Sequence, residues 1–369
     1  MIAAALLAAS LAAAQTPAPT EARTSTHAAT SAATSASTQT ATQAEAPVGA
    51  PSVALLKERV LGATEEPDRV KALDLIAKTP PVSGQDVSAL FDLFSRYPDP
   101  GLRQRVMSSL ALVPPGSPQL EPIFISYLSQ PEPESQLFGI NGAFRLRSRH
   151  ALPLVRKIAE RKFAAADASA VAVLSERNAW WTQYEALSAL AQWEGEKSLP
   201  LLRKKADESP AVARLLGRYF WRQTFPELAK WAASSEAAVR EKAVEAAGVP
   251  IDAADARATR AGMLAVMRDP KADEEVRHRL ALKAGACATD EEVEALIADH
   301  DKAPDDAARL LWAAAVFASH SRKAVPLLVR YAKQSPEEAT RRGARVLLAD
   351  LVGEGPAAAL LEDKKDAAK

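Results

Sequence analysis

Cysteine and aromatic residues are scarce in this sequence. The only cysteine among the 369 residues is Cys287, so no disulfide can form within the chain. Aromatic residues make up 5% of the composition, so most of the large side chains available for a core are aliphatic. Windows in which Val, Ile and Thr alternate between hairpin turns, the pattern typical of β-strands, are also missing. We therefore expect an all-α fold that is held together by packing alone.

Net charge is absent as well. The chain has 46 Lys and Arg residues against 46 Asp and Glu residues. Binding to phosphates needs an excess of basic side chains on at least one face, so no nucleic acid is expected as a partner. A balanced total charge does not exclude a local basic or acidic patch.

Motifs for catalysis are a third absence. The chain contains no His-Glu-x-x-His, no Gly-rich phosphate loop after a strand and no Gly-x-Ser-x-Gly elbow. The segment Asp299-His300-Asp301 has no second His or Cys at the spacing of a metal site. We therefore expect no catalytic residue, no metal and no cofactor, and we expect that the protein is not an enzyme.

The N-terminus has the features of an export signal. Residues 1–14 form an apolar run that ends in Ala12-Ala13-Ala14, the small-x-small shape of a secretory cleavage site, although no Lys or Arg precedes it. The run is too short to span a bilayer, which takes about 20 apolar residues. We expect a signal peptide at 1–14, a periplasmic or secreted protein, and no membrane span after cleavage. The alternative is an Ala-rich start without any role in export.

The next segment has the composition of a linker. Residues 15–51 consist mainly of Thr, Ser, Ala, Gln and Pro and show neither helical nor strand periodicity. Such a segment lacks the large apolar side chains that offset the entropy cost of ordering. We expect a disordered linker at 15–51 and a folded domain at 52–369.

One amphipathic helix recurs along the folded part. Each copy begins with a Pro in or near its first turn, where the missing N–H has no helical partner to lose. Apolar residues follow at spacings of three and four, as on one buried helix face. The copies are Ala324–Ala332, Ala151–Ala159, Ser198–Ala206 and, more loosely, Thr224–Ala232. A recurring helix of this kind indicates a stacked repeat array.

A second helix pattern precedes each copy of the first. It starts with an anchor, an Arg or a Gln, and places small or apolar residues three, six and seven positions later. The anchors are Arg69, Arg103, Gln136, Gln183, Arg214, Arg240, Arg277, Arg309 and Arg341. Most spacings are near the length of a helix-turn-helix unit. The 47 residues from Gln136 to Gln183 indicate an insertion at 163–178.

Two helix starts can be placed from capping residues. Thr289 and Glu292 have the spacing of a capping box. Ser335 is expected to cap a helix whose first residue is Pro336.

Together the two helices resemble the HEAT repeat. The resemblance rests on Val239-Arg240-x-x-Ala243-x-x-Ala246-Ala247-Gly248 and on Val325-Pro326-Leu327-Leu328. It covers about residues 53–361 and implies an α-α superhelix, a solenoid of about nine repeats whose second helices line the concave surface. It also implies that Asp and Arg side chains of the first helices join neighbouring repeats. Gln136 and Gln183 depart from the pattern, so we expect this joining to be interrupted near the insertion.

Basic side chains recur on the second helices. The fourth residue after Pro, and in two copies also the third, is basic and is expected to face solvent. We call these residues the basic ladder: Arg156, Lys157, Arg203, Lys204, Lys230 and Arg330. Stacked second helices would align them as a binding surface for an acidic protein partner. The alternative is that they are ordinary solubilising residues that also suit the helix dipole.

The adjacent pair Trp180-Trp181 is a second candidate for partner binding. Two consecutive residues cannot both face one side of a helix, so one indole is expected to be exposed. Charge is also segregated along the chain. Arg145, Arg147, Arg149, Arg156, Lys157, Arg161 and Lys162 have only Glu160 beside them, whereas Asp290 to Asp306 carries eight carboxylates against Lys302.

The expected function is therefore a non-catalytic scaffold or adaptor that presents a concave helical surface to a protein partner. One alternative is an enzyme or enzyme accessory on a HEAT-like scaffold, as in the bilin lyases or a class of DNA glycosylases. Another is a self-associating structural protein, since the segregated charges could pair between copies.

Overall fold

A computed structural model describes residues 51–96, 99–114, 117–163 and 170–362, without the side chains of residues 100 and 170–178. Every regular element in these ranges is helical and none is a strand, which confirms the all-α prediction. The expected signal peptide at 1–14 and nearly all of the expected linker at 15–51 lie outside the described residues.

The chain divides between Ser198 and Leu199 into two compact units. The N-terminal unit contains α1 Val53–Gly62, α2 Glu66–Ile76, α3 Gly84–Arg96, α4 Pro100–Leu110, α5 Glu121–Leu128, α6 Pro133–Arg145, α7 Leu152–Ala159 and α8 Ala170–Glu194. The C-terminal unit contains α9 Leu199–Glu208, α10 Ala213–Tyr219, α11 Trp221–Ala232, α12 Ala237–Ala247, α13 Ala253–Arg268, α14 Glu274–Ala286, α15 Asp290–Asp301, α16 Asp306–Ala318, α17 Val325–Gln334, α18 Glu338–Val352 and α19 Glu354–Leu361.

The helices pack in neighbouring pairs, but the anchor helix is the second member of each pair, whereas the sequence pattern placed it first. Each even-numbered helix from α2 to α18 carries one anchor residue. Each of these helices packs against the odd-numbered helix before it, from α2 on α1 to α18 on α17. Even-numbered helices contact one another as well, from α2 to α8 in the N-terminal unit and from α10 to α16 in the C-terminal unit.

Small residues allow the even-numbered helices to approach closely. A Cβ atom added to Gly285 of α14 would lie 1.9 Å from the carbonyl oxygen of Ala315 in α16. The same atom on Gly217 of α10 would lie 2.3 Å from the carbonyl oxygen of Ala246 in α12. Both distances are far inside van der Waals contact, so only glycine fits at these two crossings.

Arginine anchors such as Arg240 and Arg341 bind the segment that precedes their helix. The guanidinium of Arg240 donates to the carbonyl of Ser234 at 3.0 Å. The guanidinium of Arg341 does the same to Ser335, at 2.6 Å. The Arg240 guanidinium also lies 3.8 Å from the carboxylate of Asp273, the N-cap residue of the next even-numbered helix, α14. Arg240 therefore joins two successive even-numbered helices, as the HEAT resemblance implied.

The two glutamine anchors keep part of this role. The Gln136 amide donates to the carbonyl of Gln130, six residues upstream as in Arg240 and Arg341. The Gln183 amide donates at 3.1 Å to the carbonyl of Ala159, at the end of α7. The glutamines therefore keep the hydrogen bond to the preceding segment. They cannot form the ion pair with the next even-numbered helix, because an amide is uncharged.

Two local predictions have different outcomes. The capping box at Thr289 and Glu292 is confirmed, with both reciprocal hydrogen bonds present. The helix start at Pro336 is wrong, because α18 begins at Glu338. Ser335 instead caps the end of α17, and the carbonyls of Ser335 and Pro336 are taken by Arg341. Of the insertion, the structure describes residues 170–178 as the first turns of the 25-residue helix α8.

Candidate functional site

The basic ladder consists of two kinds of residue. Lys157, Lys204 and Lys230 are exposed, and within the described ranges none of them has an ion pair. The three arginines are each paired. Arg156 lies 2.5 Å from Glu194, Arg203 lies 2.5 Å from Glu227, and Arg330 lies 2.8 Å from Asp301.

Pairs of this kind recur between successive odd-numbered helices of the C-terminal unit. They are Arg203 with Glu227, Arg222 with Asp255, Arg257 and Arg260 with Glu292, Arg268 with Asp299, Lys323 with Glu294, and Arg330 with Asp301. Many of the carboxylates between Asp290 and Asp306 are thus paired within the chain. Exposed pairs contribute little to stability one by one, but they cancel the charge of this surface toward a partner.

The two tryptophans lie near the middle of α8. Trp181 is 47% exposed, whereas Trp180 is half-buried. The Tyr184 ring stacks on both indoles, at 5.2 Å from Trp180 and 5.7 Å from Trp181. Trp181 is the exposed indole that adjacency predicted, and a role in binding stays a prediction.

The basic stretch around Arg147 has a distinct geometry. Helix α6 ends at Arg145, and its last turn is closed by two hydrogen bonds of 3.0 Å, from Arg147 N–H to the Phe144 carbonyl and from Ser148 N–H to the Ala143 carbonyl. Arg147 has a φ of 53°, the left-handed conformation in which glycine is usual at a helix end. A non-glycine residue is strained there by about 1–3 kcal/mol.

The turn after Arg147 is fixed by a carboxylate. The Ser148 hydroxyl donates to Glu121 of α5, and the His150 ring lies 3.1 Å from the same carboxylate oxygen. These two contacts hold the pKa of Glu121 below its usual value. Because Ser148 is buried, its bond to Glu121 ties the Arg147 turn to the body of the N-terminal unit.

A groove of about 1050 Å³ opens beside this turn. It runs along the edge at which four successive even-numbered helices end, α2, α4, α6 and α8. Its lining is Pro80, Ala111, Leu112, Val113, Pro114, Phe144, Arg145, Arg147, Ser148, Arg149, Leu152, Gln192, Trp193, Glu194 and Lys197.

The groove has two halves of different chemistry. The apolar half is formed by the turns after α2 and α4 and includes Leu112, which is 43% exposed. The cationic half is formed by the turns after α6 and α8 and contains Arg145, Arg147, Arg149 and Lys197. All four are exposed, and none has an ion pair within the described part of the chain.

Two features reduce the positive charge of the cationic half. Its one carboxylate, Glu194, is 11% exposed and neutralised by Arg156 of the basic ladder. The carbonyl ends of α6 and α8 also lie here and carry partial negative charge, which basic side chains in a last turn complement. A helix end is equivalent to about half a charge, so four cations leave the groove positive.

Aromatic rings lie within the cationic half. Phe144 and Trp193 are 5.6 Å apart between ring centroids. The indole N–H of Trp193 is buried and has no hydrogen-bond acceptor in the ranges that the structure describes. An unpaired buried donor is costly, so this N–H is a group that a bound acceptor or an ordered water would satisfy.

The histidine in Asp299-His300-Asp301 is part of a polar network. Its Nδ1 lies 3.0 Å from Asp301 and its Nε2 3.0 Å from the Tyr331 hydroxyl. Burial lowers the pKa of His300 and raises that of Tyr331 to about 12. Both ring nitrogens are used in hydrogen bonds, and His300 is 1% exposed, so this side chain is held in a structural network away from solvent.

The groove was not predicted because its lining residues are far apart in the sequence. Arg145, Arg147 and Arg149 stand out in the sequence as a basic stretch. Leu112 and Lys197, however, are more than 30 residues away on either side, and only the stacking of α4, α6 and α8 brings them to one edge.

Searches for metal sites and membrane spans give no candidate in the part of the chain that is described. No group of three or more potential metal ligands occurs there. None of the helices described is both long and apolar enough to cross a membrane. No protein-family model matches the sequence, and no curated protein matches it significantly.

Proposed function

We propose that the protein is an adaptor that binds an acidic segment of a protein partner in the groove of the N-terminal unit. The observation that carries the proposal is a difference in pairing. The carboxylates Glu292, Glu294, Asp299 and Asp301 are paired within the chain, whereas the four cations of the groove have no ion pair among the described residues. The groove therefore offers a positive site to a partner that brings its own carboxylates.

The pairing of the carboxylates also makes self-association through opposite charges less favourable. Pairing between a basic and an acidic stretch of two copies needs free carboxylates. Most of those between Asp290 and Asp306 are already engaged with Arg or Lys side chains, so this alternative has less support.

The apolar half of the groove favours a protein segment over a nucleic acid. Nucleic acids are bound through rows of phosphate contacts, and unpaired bases are stacked on exposed aromatic faces. Leu112 and the exposed prolines Pro80 and Pro114 offer neither kind of contact. They suit an aliphatic or aromatic side chain of a protein segment.

We also propose that the helix pairs form a HEAT-like solenoid of about nine repeats and that the protein is exported to the periplasm or secreted. The regular alternation of anchor helices with odd-numbered helices supports the solenoid. The apolar run at residues 1–14 is the support for export.

The test is a binding measurement with a fluorescently labelled peptide rich in Glu and Asp, at several salt concentrations. One variant reverses the groove charges (Arg145→Glu, Arg147→Glu and Arg149→Glu). The matched control reverses three exposed, unpaired cations of the basic ladder (Lys157→Glu, Lys204→Glu and Lys230→Glu). Both triple variants change the net charge by the same amount, so a general charge effect lowers affinity equally in both.

We expect the groove variant to lose at least tenfold in affinity and the ladder variant to change little. Equal losses in both variants would contradict a specific site in the groove. A loss confined to the ladder variant would move the site to the second helices. Tighter binding to a single-stranded oligonucleotide than to the peptide would replace the protein partner by a nucleic acid.

A further inference from the structure

We infer that the groove recognises an acidic segment that also carries one large apolar side chain, displaced along the segment from its carboxylates. This inference rests on the proposed function and specifies the ligand of the same site. It follows from the positions of the two halves, because the apolar half lies at the ends of α2 and α4 and the cationic half at the ends of α6 and α8.

The apolar half contains a side chain that the fold leaves uncovered. Leu112 is 43% exposed, in the turn that follows α4, and the exposed Pro114 lies two residues away. The neighbouring Val113 is 3% exposed and belongs to the core, so it holds the turn in place. A rigid turn that presents one large apolar side chain beside a groove is suited to receive an apolar side chain of a ligand.

The cationic half comes from the next two repeats. Arg145, Arg147 and Arg149 follow α6, and Lys197 follows α8. Helix α6 contacts both α4 and α8, so the two halves are continuous. Packed helices are about 8–10 Å apart, and an extended chain covers about 3.3 Å per residue. An apolar side chain at Leu112 therefore lies about three to six residues from carboxylates that reach the arginines.

The charge of the halves sets the chemistry of the ligand. A purely acidic segment would satisfy the arginines but would leave the exposed face of Leu112 in water. A purely apolar segment would leave four cations without partners. Both halves are used only by a segment that combines carboxylates with an apolar residue.

The experiment compares two labelled peptides of equal length and charge. Both carry a run of four Glu residues, separated by two Ser or Gly residues from a variable position that is Phe in one peptide and Ser in the other, so that the carboxylates lie three to six residues from it. Affinities are measured for the unaltered protein, for Leu112→Asn in the groove, and for Leu75→Asn as a control. Leu75 is 46% exposed on α2 and does not line the groove.

We expect the Phe peptide to bind about tenfold more tightly than the Ser peptide, because burying one large apolar side chain accounts for at least that factor. Leu112→Asn should remove this preference, so that the Phe peptide binds no more tightly than the Ser peptide, and Leu75→Asn should leave the preference unchanged. Thermal unfolding of each variant verifies that it is folded.

Equal affinities of the two peptides for the unaltered protein would show that the apolar half takes no part, while the proposed function would stand. A preference for Phe that persists in Leu112→Asn, whether both affinities drop equally or not at all, would show that Leu112 does not receive the apolar side chain and would overturn the inference. If neither peptide binds, the proposed function fails together with the inference.

Discussion

The Gln136 side chain joins Arg161 to Gln130. Its amide oxygen accepts a hydrogen bond of 2.8 Å from the Arg161 guanidinium, and its amide nitrogen donates one of 2.5 Å to the Gln130 carbonyl. Arg161 follows α7, and Gln130 follows α5. A single buried amide therefore links the ends of two successive odd-numbered helices, which an arginine at this position could not do because it has no acceptor.

Replacing Gln136 by Ala should destabilise the N-terminal unit by about 1–3 kcal/mol, because the hydrogen bonds of the Gln136 amide to the Gln130 carbonyl and to Arg161 are both lost. Urea unfolding measures the loss. The control is Gln104→Ala, an exposed glutamine on α4, which should stay within about 0.5 kcal/mol of the unaltered protein. Equal stabilities of the two variants would show that the Gln136 network is unimportant.

Arg147→Gly should make the protein more stable and the groove weaker. Glycine relieves the left-handed strain at Arg147, and after its own entropy cost a gain of about 0.5–1 kcal/mol remains. Loss of one charged contact should weaken binding of the acidic peptide about tenfold. The matched control is His320→Gly, since His320 has a φ of 49° in the C-terminal unit.

His320→Gly should raise the melting temperature by a similar amount and leave the peptide affinity unchanged. If Arg147→Gly binds the peptide as well as the unaltered protein, Arg147 has no part in recognition. The strained arginine would then be a feature of the helix end alone.

Stability should fall as the pH drops below about 6.5. Burial lowers the pKa values of His300 and His278 in the folded chain from the ordinary value of 6.5. The unfolded chain therefore takes up these protons first, and the difference lowers the free energy of unfolding until the pH is below the folded pKa values. Above about pH 7.5 both histidines are neutral in both states and contribute no pH dependence.

The measurement for His300 is the free energy of unfolding between pH 5 and pH 8 for His300→Gln. Its slope below pH 6.5 should be smaller than that of the unaltered protein. A slope equal to that of the unaltered protein would contradict an effect of the buried histidine.

Leu328→Asp tests the stacking of repeats. Leu328 is 2% exposed in α17, and burial of one leucine contributes about 1.5–3 kcal/mol. If the helix pairs form a solenoid, stability is local, and the charge should open α16 to α18 while residues 51–198 stay protected. Hydrogen exchange read by mass spectrometry follows each segment. A single, uniform loss of protection along the chain would argue against a solenoid.

The fold could be predicted to a large extent because its signals are local. Small residues at fixed distances from an anchor, such as Ala243 and Ala246 after Arg240, indicate one buried helix face, and both are fully buried. The helix start near Ser335 was less predictable. Ser335 can end one helix as well as begin the next, and Arg341, six residues away, decides between these roles.

The candidate site was less accessible to prediction than the fold. Basic residues on the second helices could be located, but not their partners. Arg156 is paired with Glu194, 38 residues later, and Arg330 with Asp301, 29 residues earlier. Pairing depends on how repeats stack, and so does the groove, whose lining extends from Pro80 to Lys197.

Hydrogen–deuterium exchange of the protein with and without the acidic peptide that carries Phe locates the binding site directly. Binding in the groove should slow exchange at residues 144–152 and 192–197, which form the cationic half, and at 111–114, which form the apolar half. Protection confined to residues 154–162, 200–208 or 227–234, around the lysines of the basic ladder, would contradict it.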